Sequence, residues 1–476
     1  MPKLFLFGIG GTGSRVLRSL TMLMAAGVPI KNCDRIVPIL IDPDSQNADM
    51  LRAVELLKTY KRLHKKLGRD AGFFGKEVST LADMEARGEG KIKDTFIFDF
   101  GGINQSFRDF IHFPDLEPDT QSLMQLLYTD DNLNSPLTVG FKGSPNVGSV
   151  VLNQLKASPE IRFFADNFQT GDRIFIISSI FGGTGAAGFP LLLKNLRDPD
   201  SGLQNAGAIA QALVGAITVL PYFALQTDDG SRIDSNTFLT KTKAALSYYR
   251  TNLNDLNALY YLADVSDKPY ENREGGAAQK NDAHLVELLS ALSVVDFMEY
   301  DAAELTGGST RYHEYGLRDD RPEIFLDHLY ADTKDKIARP LTQFMMLAKY
   351  YREHLEDDKG KNYYKGLKLD HAMRNDSFYR DLGTFLDGYY TWLSELAGNR
   401  RGFEPFNLDT DDFNTLINGK TIATGLFKKG LTPGYFQIEL NRAEQKMQDE
   451  PDPNRKFIKL FHEVTGKAYE EKVPTI

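Results

Sequence analysis

Two glycine-rich turns, each set between an apolar run and a helix-like stretch, govern what this chain can become. The first, Gly8-Ile-Gly-Gly-Thr-Gly-Ser14, follows the apolar run at 3–7 and opens a helix-like stretch at 15–26. The other, Phe181-Gly-Gly-Thr-Gly-Ala-Ala187, follows the apolar run at 173–179 and opens a stretch through Lys194. A strand that stops at glycines and restarts as a helix points backbone N–H groups and the positive end of a helix dipole at one spot, the geometry that holds a phosphate. A third run, Gly140-Phe-Lys-Gly-Ser-Pro-Asn-Val-Gly148, lies between them. Two such turns in one domain predict that a polyphosphate is held from two sides. The alternative for any one of these glycines is a tight turn with no ligand.

Around these turns, residues 1–265 alternate strand-like runs with amphipathic segments, the pattern of a parallel sheet covered by helices. Strands are expected at 3–7, 35–41, 95–98, 173–179, 213–220 and 259–263. Right-handed crossovers place their C-terminal ends on one side, so the following loops share a cleft. The segment 48–135 reads as an inserted, partly helical excursion; the basic run Lys61-Arg-Leu-His-Lys-Lys66 along it is either a solvated face or a partner patch. An apolar-periodic helix from Asn281 to Phe297 suits a central spine. Beyond Pro322 the character turns helical, at 340–355, 376–397 and 433–448, with a charged loose tail or partner arm at 468–476. Tyr350, Tyr351, Tyr363, Tyr364, Tyr389, Tyr390 and Trp392 read as core or interface anchors. The expected fold class is α/β: a parallel sheet flanked by helices over 1–280, a spine at 281–300, and a largely helical C-terminal region at 301–476.

Composition narrows the function. A formal net charge of −9 argues against nucleic acid as a direct ligand. The single cysteine, Cys33, excludes an internal disulfide and any Cys-x-x-Cys zinc site, and fits a reducing, cytoplasmic setting. The sequence shows neither a signal-peptide pattern nor an apolar run of about 18 residues, so no transmembrane segment is expected.

The loops and their order resemble the tubulin/FtsZ superfamily of GTP-binding, filament-forming proteins. Phe181-Gly-Gly-Thr-Gly-Ala-Ala-Gly-Phe-Pro190 is similar to that family's Gly-Gly-Gly-Thr-Gly-(Ser/Thr)-Gly signature, Gly140 to Gly148 to its third phosphate loop, and Ile41-Asp-Pro-Asp-Ser-Gln46 to the second-loop Asn-Thr-Asp-x-Gln. The resemblance covers roughly the first 300 residues. It implies GTP/GDP and Mg2+ as cofactors and self-assembly head to tail. Gly10, Gly11, Thr12 and Gly13 would meet the α- and β-phosphates, with Gly182, Gly183, Thr184 and Gly185 opposite. Gly143, Ser144 and Asn146 would sit near the γ-phosphate, and Asp44 near the nucleotide and its cation. Asn281 and Asp282 would read guanine, through acceptors for its N1–H and exocyclic amine; the alternative for Asp282 is a bare helix N-terminal charge. Asp228, Asp229 or Arg232 would meet the ribose. His284 and Glu287, spaced by three with no third ligand, read as a surface pair rather than a metal site.

The family completes GTP hydrolysis with Asn-x-Asp-x-x-Asp from the next subunit, carried on a loop that follows the spine, and no such string follows the spine here at 298–310. The nearest carboxylates after the spine are Asp296, Asp301 and Glu304, either water-positioning groups or ordinary loop residues. Two other readings stay open. One is a non-polymerising GTP-controlled switch that recruits a protein partner through its C-terminal region. The other is an adenylyltransferase or dinucleotide-binding enzyme, which the first turn allows but which a lone Cys33 and the Gly182–Gly188 turn disfavour.

Overall fold

The computed structural model describes residues 2–84, 92–141, 143–222, 224–225, 235–253, 255–264, 269–270, 276, 280–313, 321–425 and 430–476. Seven strands form one sheet: β1 (Lys3–Ile9), β2 (Arg35–Ile41), β3 (Glu77–Val78), β4 (Arg173–Ser179), β5 (Leu213–Val219), β6 (Ala258–Leu262) and β7 (Arg311–His313). Their order is β3-β2-β1-β4-β5-β6-β7, and every pairing is parallel. Such a sheet is stable only with both faces covered, which explains why its strands read as near-continuous apolar runs. Every residue of β4 is buried.

The main helices are α1 (Gly10–Ala25), α2 (Ala48–Leu67), α3 (Pro145–Leu152), α4 (Gly183–Arg197), α5 (Ser235–Asn252), α6 (Leu285–Glu299), α7 (Ala331–Glu353), α8 (Ser377–Ala397), α9 (Pro433–Lys446) and α10 (Pro453–Lys472). Helix α1 packs against α2 and α6, while α3 packs against α4. All of α6 except Asp296 and Glu299 is buried, as an all-round apolar helix must be. The fold is therefore α/β with a spine helix and a helical C-terminal region, in which α8 rests on α2 and α7 on α10. Tyr350, Tyr363, Tyr364, Tyr389 and Trp392 are fully buried anchors of that region. Among the described residues, no helix is long and apolar enough to cross a membrane.

Several expectations need correction. The spine begins at Leu285 rather than Asn281, because His284 caps it: the His284 Nδ1 accepts the Val286 N–H at 3.1 Å while Glu287 takes the His284 N–H at 3.0 Å. The run 95–98 does not become a strand. It clasps Leu40 through two backbone bonds, Leu40 N–H to the Phe96 carbonyl and Phe98 N–H to the Leu40 carbonyl, and pairs no further. The opening of the supposed excursion, α2, is a layer helix packed on α1 and α8, with Lys65 and Lys66 on its solvated side. The expected loose tail is the end of α10: Phe457, Phe461, Val464 and Ala468 bury one stripe, and the charges of Glu470 and Glu471 lie on its outer side.

Candidate functional site

The chain builds β2 and β3 on one side of β1, then returns to place β4 on the other. That reversal opens a crevice beyond the C-terminal ends of β1 and β4, the usual ligand position in an open parallel sheet. Both outer glycine turns begin there. A Cβ on Gly10, which holds φ +72°, would lie 3.5 Å from the Thr184 Cβ and 3.7 Å from the Gly185 nitrogen. A Cβ on Gly183 would lie 3.0 Å from the Phe141 Cβ, 3.1 Å from the Gly143 nitrogen and 3.2 Å from the Ser144 nitrogen. The three turns, far apart in sequence, thus share one small space. At Gly183 a side chain would crowd the third turn, while at Gly10 the left-handed backbone itself favours glycine.

Three helices start at this point, α1 after Ile9, α3 after Ser144 and α4 after Gly182. None has a side-chain cap or an acidic residue in its first turn. By contrast Asn47, Asp376, Thr432 and Asp452 cap α2, α8, α9 and α10. Helix α6 has its His284–Glu287 cap, and α7 carries Asp332 in its first turn. A helix start leaves amide protons without intrahelical partners and concentrates positive potential. Three uncapped starts facing one crevice make an anion cradle of peptide groups. Gly11, Gly143, Ser144, Gly182 and Thr184 are half-buried along it, Gly10, Thr12, Gly13, Gly183 and Gly185 are buried, and Asn146 is exposed. Lys241 of α5, which the sequence reading missed, sets its ammonium 2.5 Å from the Gly143 carbonyl.

Beside the cradle lies a buried charge cluster that no local pattern announced. The Arg15 guanidinium, in the second turn of α1, pairs with Glu287 through Nε, with Asp49 at 2.8 Å and with the Tyr222 hydroxyl at 2.8 Å. Tyr222 in turn donates to Glu287 at 2.6 Å. His284 and Glu287 are therefore buried helix-cap and ion-pair groups, neither a surface pair nor a metal pair. Burial disfavours the Arg15 charge, but its three anionic and phenolic partners outweigh that and hold its pKa well above the ordinary value. The cluster continues into the C-terminal region, where Glu395 of α8 takes Arg18 and, at 2.9 Å, Arg52.

Asp44 is buried at the end of β2's following turn and accepts the N–H groups of Gln46 at 3.1 Å and Gly276 at 2.6 Å. Its neighbour Asp42 is buried too, and burial pushes its carboxyl up to about 7. Among the described residues, no three His, Cys, Asp or Glu side chains converge on a metal position. Mg2+, however, is commonly held by one or two carboxylates together with the phosphates of its nucleotide, a role that a single Asp44 fits. Asn281 is held by Asp49, and Asp282 is exposed two residues before the cap of α6. Asp228, Asp229 and Arg232 lie outside the described residues.

Asp296, Asp301 and Glu304 sit at the opposite end of the sheet. Arg173, the first residue of β4, reaches the Phe297 carbonyl at 3.2 Å, and Asn32, just before β2, reaches those of Met298 and Tyr300. With α6 about 22 Å long, these carboxylates do not meet the glycine cradle of their own subunit. Asp296 accepts the Tyr260 hydroxyl at 2.8 Å, and Glu304 accepts the Asp301 N–H at 2.7 Å.

No protein-family model matches the chain, and no curated protein matches it. Among solved structures, CetZ from Methanosaeta thermophila strain DSM 6194 is similar at 14% identity and TM-score 0.27 over 55% of this chain and 46% of that one. The chain thus spans less than half the length of that relative. CetZ2 from Haloferax volcanii, as a GTPγS-bound protofilament, is similar at 12% identity and TM-score 0.32 over 72% of each chain. Likenesses of this size have no bearing on activity.

Proposed function

We propose that the chain binds GTP across the crevice between β1 and β4 and assembles head to tail, with hydrolysis to GDP completed where copies meet. The observation that carries this reading is the convergence of three uncapped helix starts, on glycine turns, at the switch point of the sheet. In it, amides of Gly10 to Gly13 and Gly182 to Gly185 hold the inner phosphates from two sides. That of Gly143 faces the terminal one with Ser144 and Asn146 beside it, the Ser144 N–H itself closing the turn on the Phe141 carbonyl at 2.7 Å. Mg2+ held by Asp44 and the phosphates would supply charge neutralisation at the transferred group. Asn281 and Asp282 read the base. The separation of Asp296, Asp301 and Glu304 from the cradle supports hydrolysis across a junction: a head-to-tail stack brings the far end of α6 in one copy over the crevice of the next. Such a heterologous contact gives an open filament when its rotation does not close. The proposed setting is the cytoplasm, in keeping with a free, buried Cys33.

A second reading, a GTP-controlled switch that recruits a partner without polymerising, draws on the local engagement of Asp296 with Tyr260 and of Glu304 with the Asp301 amide. Sedimentation with Mg2+ and GTP, GDP, a slowly hydrolysed GTP analogue or ATP separates the two. Pelleting with GTP and its analogue alone is expected, with D301N and E304Q slowing phosphate release but not pelleting. A protein that binds GTP yet stays in solution throughout would leave the switch.

A further inference from the structure

We propose that the short helix Pro118–Leu127 of one copy docks on the lysine-bearing face of α2 in a second copy, a side contact separate from the head-to-tail one. Leu116 and Met124 pack on the core, and the Gln121 amide donates to the Leu116 carbonyl at 2.8 Å, so that side of the helix faces the protein. Leu123, Leu126 and Leu127 face away, 53%, 84% and 57% exposed, and no residue of the helix is buried. At about 3.6 residues per turn, Asp119 shares their side. Burying one leucine is worth about 1.5–3 kcal/mol, and three exposed within five residues form a patch of the kind that marks a contact surface, unlike leucines scattered singly. Its surroundings are acidic. Residues 109–141 carry six carboxylates and neither Lys nor Arg. Glu117 and Asp119 stand at the start of the helix and Asp130 just past its end, all exposed.

An occupant that matches this patch offers cations around an aliphatic bed, and the chain carries such a surface itself. Residues 58–69 hold six cations and no Asp or Glu. Lys61, Arg62 and Arg69 are paired within the subunit, with Asp83, Asp381 and Glu77. Lys58, Lys65 and Lys66 are exposed and form no ion pair with a described residue. Lys58 and Lys65 continue, at steps of seven, a stripe of α2 that begins with Leu51, itself 43% exposed. Glu55, on the same side, lies 3.9 Å from Arg62. The stripe from Leu51 to Lys65 is about 21 Å long and the leucine helix about 15 Å, so one can lie along the other. Carboxylates then meet ammonium groups, while the leucines cover Leu51 and the lysine stems, which are apolar up to the nitrogen. The two patches are different surfaces of one chain, so the contact is heterologous and leaves a patch of each kind open to a further copy.

The test is analytical sedimentation of the full chain without nucleotide over a range of concentrations, at low salt and at ~1 M salt, where the Debye length falls to about 3 Å. Wild type should self-associate reversibly at low salt and more weakly at high salt. L126S/L127S, at two exposed positions, should weaken that association about tenfold or more. K58E/K65E/K66E and E117K/D119K/D130K should each stay monomeric, since each variant presents two patches of like sign. An equimolar mixture of the two should associate again, because the reversed α2 face of one then meets the reversed helix rim of the other. Wild type that stays monomeric overturns the second copy as occupant and leaves the leucine helix to a foreign basic partner. A mixture that stays monomeric, or L126S/L127S associating as wild type does, overturns the pairing of these two faces. Should reversal at the helix start unfold it, L126S/L127S and K58E/K65E/K66E still decide. With no nucleotide present, the result stands whether or not the GTP reading does.

Discussion

Adding a single methyl group at Gly183 tests whether the glycine turns form a cradle or merely pack. In G183A the new carbon would lie 3.0 Å from the Phe141 Cβ and 3.1 and 3.2 Å from the Gly143 and Ser144 nitrogens. Two of these three neighbours are backbone, so the third turn must retreat by some tenths of an ångström from the start of α4. Overpacking of this kind costs about 1–3 kcal/mol of stability. The larger consequence falls on the ligand, because the displaced groups include the Gly143 amide proposed to face the terminal phosphate. A hydrogen bond to a charged group is worth about 1.5–3 kcal/mol, so misaligning one amide should weaken GTP about ten- to a hundredfold. Gly207, with negative φ and no atom within 4 Å of its virtual Cβ, supplies the control. The assay pairs nucleotide titration with urea unfolding, followed by the sole tryptophan, Trp392, which is fully buried and donates to Ser19 at 3.2 Å. If G183A binds GTP as G207A does, the three turns are not the phosphate site.

Two further outcomes follow from the buried charges. Removing the Glu287 carboxylate in E287A strips Arg15 of one of its two carboxylate partners inside the fold and should cost about 3–5 kcal/mol; a urea midpoint shift worth less than about 1 kcal/mol would mean that Arg15 is hydrated. Asp42 gives a pH signature. Burial, opposed by the Asp44 N–H and reinforced by the charges of Asp44 and Asp49, raises its carboxyl from 3.8 to about 7. Between those values the folded state keeps a proton that the unfolded chain gives up, so this group's contribution is intact below about pH 4 and is lost as the pH rises to 7. D42N, neutral throughout, should therefore exceed wild type by only about 1 kcal/mol at pH 4.5 and by on the order of 4 kcal/mol at pH 8. Parallel stability profiles from pH 4 to 8 would refute the buried, protonated Asp42.

Five of the strands and the glycine turns could be read from sequence because their signals are local: a run of apolar residues, then glycines, then helical periodicity. The cluster beside them could not. Arg15 finds Asp49 at a separation of 34 residues, Tyr222 at 207 and Glu287 at 272, and each residue alone looks like a charge on a helix surface or an ordinary core aromatic. Glu287 looked exposed because its partner lies on a helix almost the whole sheet away in sequence. The start of α6 was misplaced for a related reason: His284 is an unusual cap, and the Asn-Asp pair before it offers the conventional signal. The end of α10 was lost because three terminal charges outweighed a stripe whose last member, Ala468, is small. Lys241 lies on a helix whose sequence gives no hint that it returns to the third turn.

A grip made of peptide groups has an unusual genetics. The donors at the starts of α1, α3 and α4 belong to the main chain, so truncating neighbouring side chains to alanine would leave most of them in place. Mutational scans that remove atoms would report the Arg15 cluster and Lys241 as important and pass over the cradle. Substitutions that add atoms at Gly10, Gly13, Gly183 or Gly185 would expose it. Since amides neither titrate nor oxidise in the physiological range, changes of pH should reach this site through its carboxylates, while the surface made by the glycine turns stays chemically constant.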